Sequence, residues 1–138
     1  MALHHMQIGE VAERTGLSLR SIRYYEELGL VTPSERSAGG FRLYAEEEVA
    51  RLRLIARMKL AGFSLEETKE VLGLLDRLRL SRPGTRRHEQ AVTRLQEYRD
   101  AAEERVRALR EQLHVAEGFA ADLKREVSRQ KRLARRRG

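Results

Sequence analysis

Arginines at positions 20, 23, 36 and 42 and a lysine at position 59 stand beside Tyr24, Phe41 and Tyr44 in the first half of the chain. Guanidinium groups suit two tasks: gripping a phosphate, or gripping the O6 and N7 edge of a guanine with paired hydrogen bonds. A tyrosine hydroxyl adds a neutral phosphate contact, and Tyr24 has the position for it. Gly39 and Gly40 let a backbone approach a phosphate closely. The chemistry on offer is therefore recognition of a polyanion with readable edges. Covalent chemistry is not on offer: no nucleophile–base set, phosphate-cradling glycine loop or paired-carboxylate site is visible. The sequence thus predicts no enzyme and no cofactor. The chain has no cysteine, which removes disulfides, thiolate metal sites and thiol redox switches. His88 and His114 lie far apart without ligand-like spacing and read as surface histidines.

These side chains need elements to aim them. Residues 7–17 carry Ile8, Val11, Ala12 and Leu17 at helical spacing. Gly16 can end that helix in a left-handed conformation. Ser18 is a good N-cap for a second helix, roughly Leu19 to Leu28. Ile22, Tyr25 or Glu26, and Leu28 fall near one face of it; Arg20, Arg23, Tyr24 and Glu27 fall on the other. Two short helices across a tight turn make a helix-turn-helix, whose second helix enters the major groove with its N-terminal residues leading. Ser18, Leu19, Arg20 and Arg23 lead here. Tyr25 reads as a core aromatic.

Pro33 then breaks helix, and two extended segments flank Ser37-Ala38-Gly39-Gly40. A β-hairpin after a helix-turn-helix is a wing. It offers Arg36, Gly40, Phe41, Arg42 and Tyr44 to DNA, with Phe41 and Tyr44 alternatively anchoring the wing to the core. Residues 45–61 return to helix with Val49, Leu52, Ile55, Ala56 and Leu60. Ser64 and Glu67 match a capping box for a further helix, with Leu65, Thr68, Val71, Leu72 and Leu75 inward. This head spans 7–80 and ends at Ser81-Arg82-Pro83-Gly84, so 81–85 is the expected linker.

Beyond Thr85 two positions repeat every seven residues, three apart, like positions a and d of a heptad. One set is Val92, Arg99, Val106, Leu113, Ala120 and Val127; the other is Leu95, Ala102, Leu109, Ala116, Leu123 and Gln130. A stripe of that length needs a partner helix, so a coiled coil between two copies is expected over 86–133. Its seam contacts are Val92, Leu95, Ala102, Val106, Leu109, Leu113, Ala116 and Leu123. The alternative is a helix folded back on its own head. Gly118 falls outside the seam and either costs about 1 kcal/mol there or breaks the helix.

The chain carries 28 Lys and Arg against 21 Asp and Glu, a net charge of +7. From Lys124 onward there are eight basic side chains and one acid, Glu126, so that stretch alone holds the whole excess. Residues 1–123 are left with 20 of each sign. The DNA-binding reading must therefore rest on placement and not on net charge. The last residues, 134–138, form a basic tail that either adds phosphate attraction or frays in solvent. No apolar run reaches the length of a bilayer span, and the first residues lack the apolar stretch of a signal peptide. A cytoplasmic, nucleoid-associated protein is expected. Met1–His5 carry no pattern and stand outside the argument.

The stretches IGEVAERTGLSLRSIRYYEELGLV (8–31) and GGFRLYAEEEVARLRLIARMKLAGFSLEE (39–67), followed by heptads, resemble the MerR family of bacterial transcriptional regulators. The combination of RYYEELGL, FRLY and KLAGFSLEE carries the resemblance. It implies a mainly α fold: a winged helix-turn-helix, a helix pair acting as a second wing, and a dimerisation helix forming an antiparallel coiled coil. It implies Lys59 as a flanking phosphate contact. It also implies a near-palindromic promoter operator in double-stranded DNA, distorted by the bound homodimer, with RNA polymerase at the same promoter. Ala45 departs from the family, where a hydroxyl or carboxylate cap is common. Family members usually sense an effector; the lack of cysteine excludes the thiolate-metal and iron–sulfur modes. The alternative function is an architectural DNA-bending protein without effector input.

Overall fold

The turn chemistry written into the first thirty residues sets the fold in motion. In the computed structural model, which describes residues 5–137, helix α1 (Ile8–Thr15) stops at Gly16. Gly16 takes a φ of 74°, and its N–H donates to the Ala12 carbonyl at 2.9 Å. A side chain at that φ would be strained, which is why glycine ends the helix here. Helix α2 (Leu19–Glu27) starts two residues later, where Ser18 Oγ accepts from the Ser21 N–H at 3.0 Å. A cap of this kind contributes about 1 kcal/mol.

Strands β2 (Glu35–Arg36) and β3 (Arg42–Tyr44) form the wing. A strand absent from the sequence reading, β1 (Met6–Gln7), pairs with the other side of β3, giving an antiparallel sheet of order β1-β3-β2. Met6 lies opposite Tyr44 and Gln7 opposite Leu43. Two residues are too few to display a period-2 pattern, so only the fold reveals this strand.

Helix α3 (Glu46–Leu60) lacks a side-chain cap at Ala45. The Glu48 carboxylate accepts from the Ala45 N–H at 3.3 Å instead and also takes the Ser34 hydroxyl. Helix α4 (Leu65–Leu80) carries the expected capping box: Ser64 N–H donates to Glu67 Oε1 at 2.8 Å, and Glu67 N–H to Ser64 Oγ at 3.1 Å. Met6, Val11, Ile22, Tyr25, Tyr44, Val49, Leu52, Ile55 and Leu72 make the centre of one core shared by α1 to α4 and the sheet. Two inward assignments change. Met58, not Leu60, closes the inner row of α3, leaving Leu60 86% exposed; in α4, Leu74 is buried and Leu75 is turned outward.

Helix α5 (Arg86–Arg137) begins at Thr85, whose Oγ1 accepts from the His88 N–H at 3.4 Å. It continues without a break through Gly118. The expected tail from 134 is thus helical to Arg137, and Gly138 lies outside the described residues. The chain divides into two compact units, the first ending at Gln96 and the second beginning at Glu97. Residues 81–85 join α4 to α5, and residues 86–96 of α5 belong to the same unit as the head. Ala91 is fully buried in that unit, and Arg94 makes two hydrogen bonds to Glu70, at 2.9 and 2.8 Å. No helix among the described residues is long and apolar enough to cross a membrane.

Candidate nucleic-acid interface

Burial sorts the side chains of α2 cleanly. Ile22 and Tyr25 are buried, while Leu19, Arg20, Arg23 and Tyr24 are exposed, so the outward face carries both arginines and a phenol. Tyr24 leans on Tyr25 with ring centroids 5.7 Å apart at 54°, which limits the directions the exposed ring can take. Ser18 is exposed but committed to the helix start. Besides accepting from Ser21 N–H, its hydroxyl donates to Ser21 Oγ at 3.0 Å.

The wing is shaped by its own backbone. Gly40 has a φ of 81°, and its N–H donates to the Ser37 carbonyl at 2.9 Å. Ser37 Oγ accepts from Phe41 N–H at 3.1 Å, while an Arg36 guanidinium N–H donates to the Gly40 carbonyl at 3.2 Å. Phe41 is left 62% exposed at the tip. Arg36 and Arg42 lie directly opposite each other across the two strands. Facing like charges oppose strand pairing, so this pair asks for anions.

One anion is supplied by the chain. Glu26, near the end of α2, has a mostly buried side chain and reaches across to the wing. Its Oε1 sits 2.7 Å from Arg42 Nε, an ion pair of close charges rather than an aligned hydrogen bond. Its Oε2 accepts from the Tyr44 hydroxyl at 2.7 Å. Burial, then the hydrogen bond and charge of Glu26, push the Tyr44 phenol far above its ordinary range; Arg42 and Arg23 pull against that. Arg23, Glu26, Arg42 and Tyr44 thus form one electrostatic cluster joining α2 to β3. Glu26 is a candidate site residue that sequence reasoning missed. The signal was a carboxylate at the edge of the inner face of α2, where a buried charge needs partners.

Tyr44 is a correction. Its side chain is fully buried, with its hydroxyl engaged by Glu26, so no group is left on it for DNA. Of its two sequence readings, the wing anchor describes the molecule. Lys59 stands apart from the cluster. It is exposed near the end of α3, about 20 Å along the helix from Glu46 at 1.5 Å per residue.

The seam residues divide between the two units. Val92 and Leu95 are half-buried within the first. In the second, Ala102 is half-buried and Ala116 exposed, while Val106, Leu109, Leu113 and Leu123 are 44–58% exposed. Phe119 and Val115, which lie off the seam, are more exposed still. Among the described residues no group of three or more His, Asp or Glu side chains is arranged to hold a metal ion.

The geometry defines a winged helix-turn-helix, and comparison with known proteins supplies the family. The model of the MerR HTH family regulatory proteins matches residues 6–75, half of the chain. This protein belongs to the MerR family. The mercuric resistance operon regulatory protein of Bacillus cereus is 45% identical over 71 residues, covering 51% of this chain and 54% of that protein. The regulator CueR of Salmonella typhi is 44% identical over 71 residues, 51% of each chain. The chain therefore matches about half the length of these curated relatives. Among solved structures, a transcription regulator from Ralstonia metallidurans CH34 in complex with lead(II) is 31% identical, with a TM-score of 0.54, covering 87% of this chain and 86% of that one. A MerR family regulator lacking the sensor domain, solved on promoter DNA, shares the fold with a TM-score of 0.63 at 20% identity, covering 80% and 79%.

Proposed function

We propose that this protein is a sequence-specific DNA-binding transcriptional regulator that acts as a homodimer on a near-palindromic promoter operator. The observation that carries the reading is the cluster around Glu26. It holds an exposed arginine face on a capped helix in fixed relation to a wing with two opposed arginines. Arg20 and Arg23 read base edges in the major groove. Ser18 and Leu19 sit at the leading end of the helix, and Tyr24 contacts a phosphate. Arg36, Arg42, Phe41 and the Gly40 backbone straddle the adjacent backbone, and Lys59 takes a phosphate farther along.

Family membership supports the dimer, as does the exposed seam Val106, Leu109, Leu113, Leu123 on α5. Two heads then meet two half-sites. Distorting the DNA between them costs a few kcal/mol by elastic estimates, which the paired contacts offset. RNA polymerase at the same promoter is the partner that reads the distortion, in the cytoplasm. With no thiolate in the chain, any input differs chemically from cysteine-based metal sensing.

Mapping of binding sites across the genome tests this. A small set of promoter sites sharing one inverted repeat is the expected result. Broad coverage without a shared motif overturns regulation in favour of an architectural role.

A further inference from the structure

The second unit of the chain carries a charged surface that neither the head nor the seam uses. From Lys124 to Arg137 every described residue is exposed and helical. At 100° per residue, all the basic side chains there except Arg137 fall within an arc of about 160°. Leu123, Val127 and Ala134, which continue the apolar stripe, lie on the opposite side. Covering the seam with a partner helix therefore leaves the cationic face in solvent. Two of the eight cations are matched within the helix: Arg125 pairs with Asp122, and Arg129 with Glu126 at 3.4 Å. Lys124, Lys131, Arg132, Arg135, Arg136 and Arg137 have no acidic partner among the described residues. A helix C-terminus favours a cation or two in its last turn. Six unmatched cations over four turns exceed that need and repel one another, so the surface is completed by an outside polyanion.

We propose that the cationic face of α5 between Lys124 and Arg136 is a second, sequence-independent contact surface for the phosphates of duplex DNA. The proposal rests on the reading that the protein works on DNA, but not on which helix reads the bases. Residues 1–123 are charge-neutral in sum, so the long-range attraction that brings a protein to DNA, and holds it loosely there, comes from this face. The stretch is about 20 Å long, and a duplex presents a charge every ~1.7 Å of its axis. Phosphates therefore outnumber the cations. An anionic bilayer is the poorer fit. A helix lying in a membrane surface inserts its apolar face, and here that face belongs to the seam.

The test uses the full chain with Lys124, Lys131, Arg132, Arg135, Arg136 and Arg137 all changed to Gln, and a mixed-sequence duplex as probe. Between about 50 and 200 mM salt, the plot of log affinity against log salt should become shallower by roughly 3 or more, at about 0.9 per phosphate contact given up. Affinity at the low-salt end should fall at least tenfold. Replacing Arg132, Arg135, Arg136 and Arg137 by Lys should leave the slope in place. If circular dichroism shows the sixfold variant losing helix, Arg132, Arg135 and Arg136→Gln carries the same test with about half the change. An unchanged slope in a folded Gln variant overturns the proposal. So does tighter binding of the wild type to phosphatidylglycerol vesicles than to the duplex. Failure of the wild type to bind any duplex would instead sink the DNA reading itself, while loss of operator preference belongs to Arg20 and Arg23 and is untouched by the tail.

Discussion

The first and second units of this chain solve opposite problems with the same amino acids. In the first, charges are matched and partly buried. Glu26 meets Arg42 and Tyr44, Arg51 makes two hydrogen bonds to Asp76 at 2.9 and 3.1 Å, and Arg94 meets Glu70. In the second, nearly every described side chain faces solvent, and ion pairs such as Arg99–Glu103, Arg107–Glu104, Arg125–Asp122 and Arg129–Glu126 link residues three or four apart on one helix. Pairs of that local kind contribute only a few tenths of a kcal/mol each. The first unit uses charge to fix one element against another. The second uses charge, and an apolar stripe, in ways that are complete only when something else arrives. In the proposed function, fixed geometry serves discrimination between bases and an unfilled surface serves association.

That contrast can be broken most forcefully at the seam. Leu109→Glu with Leu113→Glu places two carboxylates in each helix of the proposed coiled coil. The dimer should give way to monomer on sedimentation, with association weakened by more than 100-fold, on the order of 3 kcal/mol or above. The first unit should keep its melting transition. Dimers of unchanged stability would remove the seam from the interface. A smaller effect tests the head. Arg20→Ala and Arg23→Ala should each lose about 1–3 kcal/mol of operator binding and relax base preference at one position per half-site. Retention of wild-type affinity and preference by both would show that α2 does not read the bases.

The mildest perturbation sharpens the claim that charge in the first unit is structural. Tyr44 titrates above the ordinary phenol value of 10.0, because burial and Glu26 disfavour its anion. In the unfolded chain the same phenol ionises near that ordinary value. Its contribution to stability is therefore complete below pH 10.0 and falls away as the pH rises above it. Tyr44→Phe should cost about 1.5 kcal/mol near neutrality, through the lost hydrogen bond to a carboxylate. It should also flatten the alkaline decline in melting temperature. An alkaline profile that is the same in both proteins would mean Tyr44 is not the titrating group.

Local signals carried most of the fold. Gly16, Ser18, Ser64 and Glu67 announce helix ends through contacts within four residues, and all four act as their types predict. The order of helices and wing followed from those caps and from apolar spacing. What stayed hidden depends on contacts between distant residues. The β1 strand exists only because Met6 meets Tyr44, 38 positions away in the chain. The burial of Tyr44 and the bridging role of Glu26 come from the same convergence. Leu60 shows the limit from the other side, since a residue in correct helical register ends 86% exposed because α3 outruns the core it covers. The candidate site was legible as a set of side chains on two elements. The carboxylate that holds those elements together was not, because pairing across eighteen or sixteen residues leaves no periodic trace.

Glu26 also divides the reading head into a part that can vary and a part that cannot. The side chains at 20 and 23 point outward from α2, and Arg23 lends the cluster behind it only its charge, so their identities can be exchanged at little cost to the scaffold. The side chain at 26 faces inward and fixes where the wing stands. On the proposed role of α2, new operator preferences are reachable by rewriting two exposed positions while the carboxylate three residues farther on stays constant, which makes this head a natural starting point for retargeting.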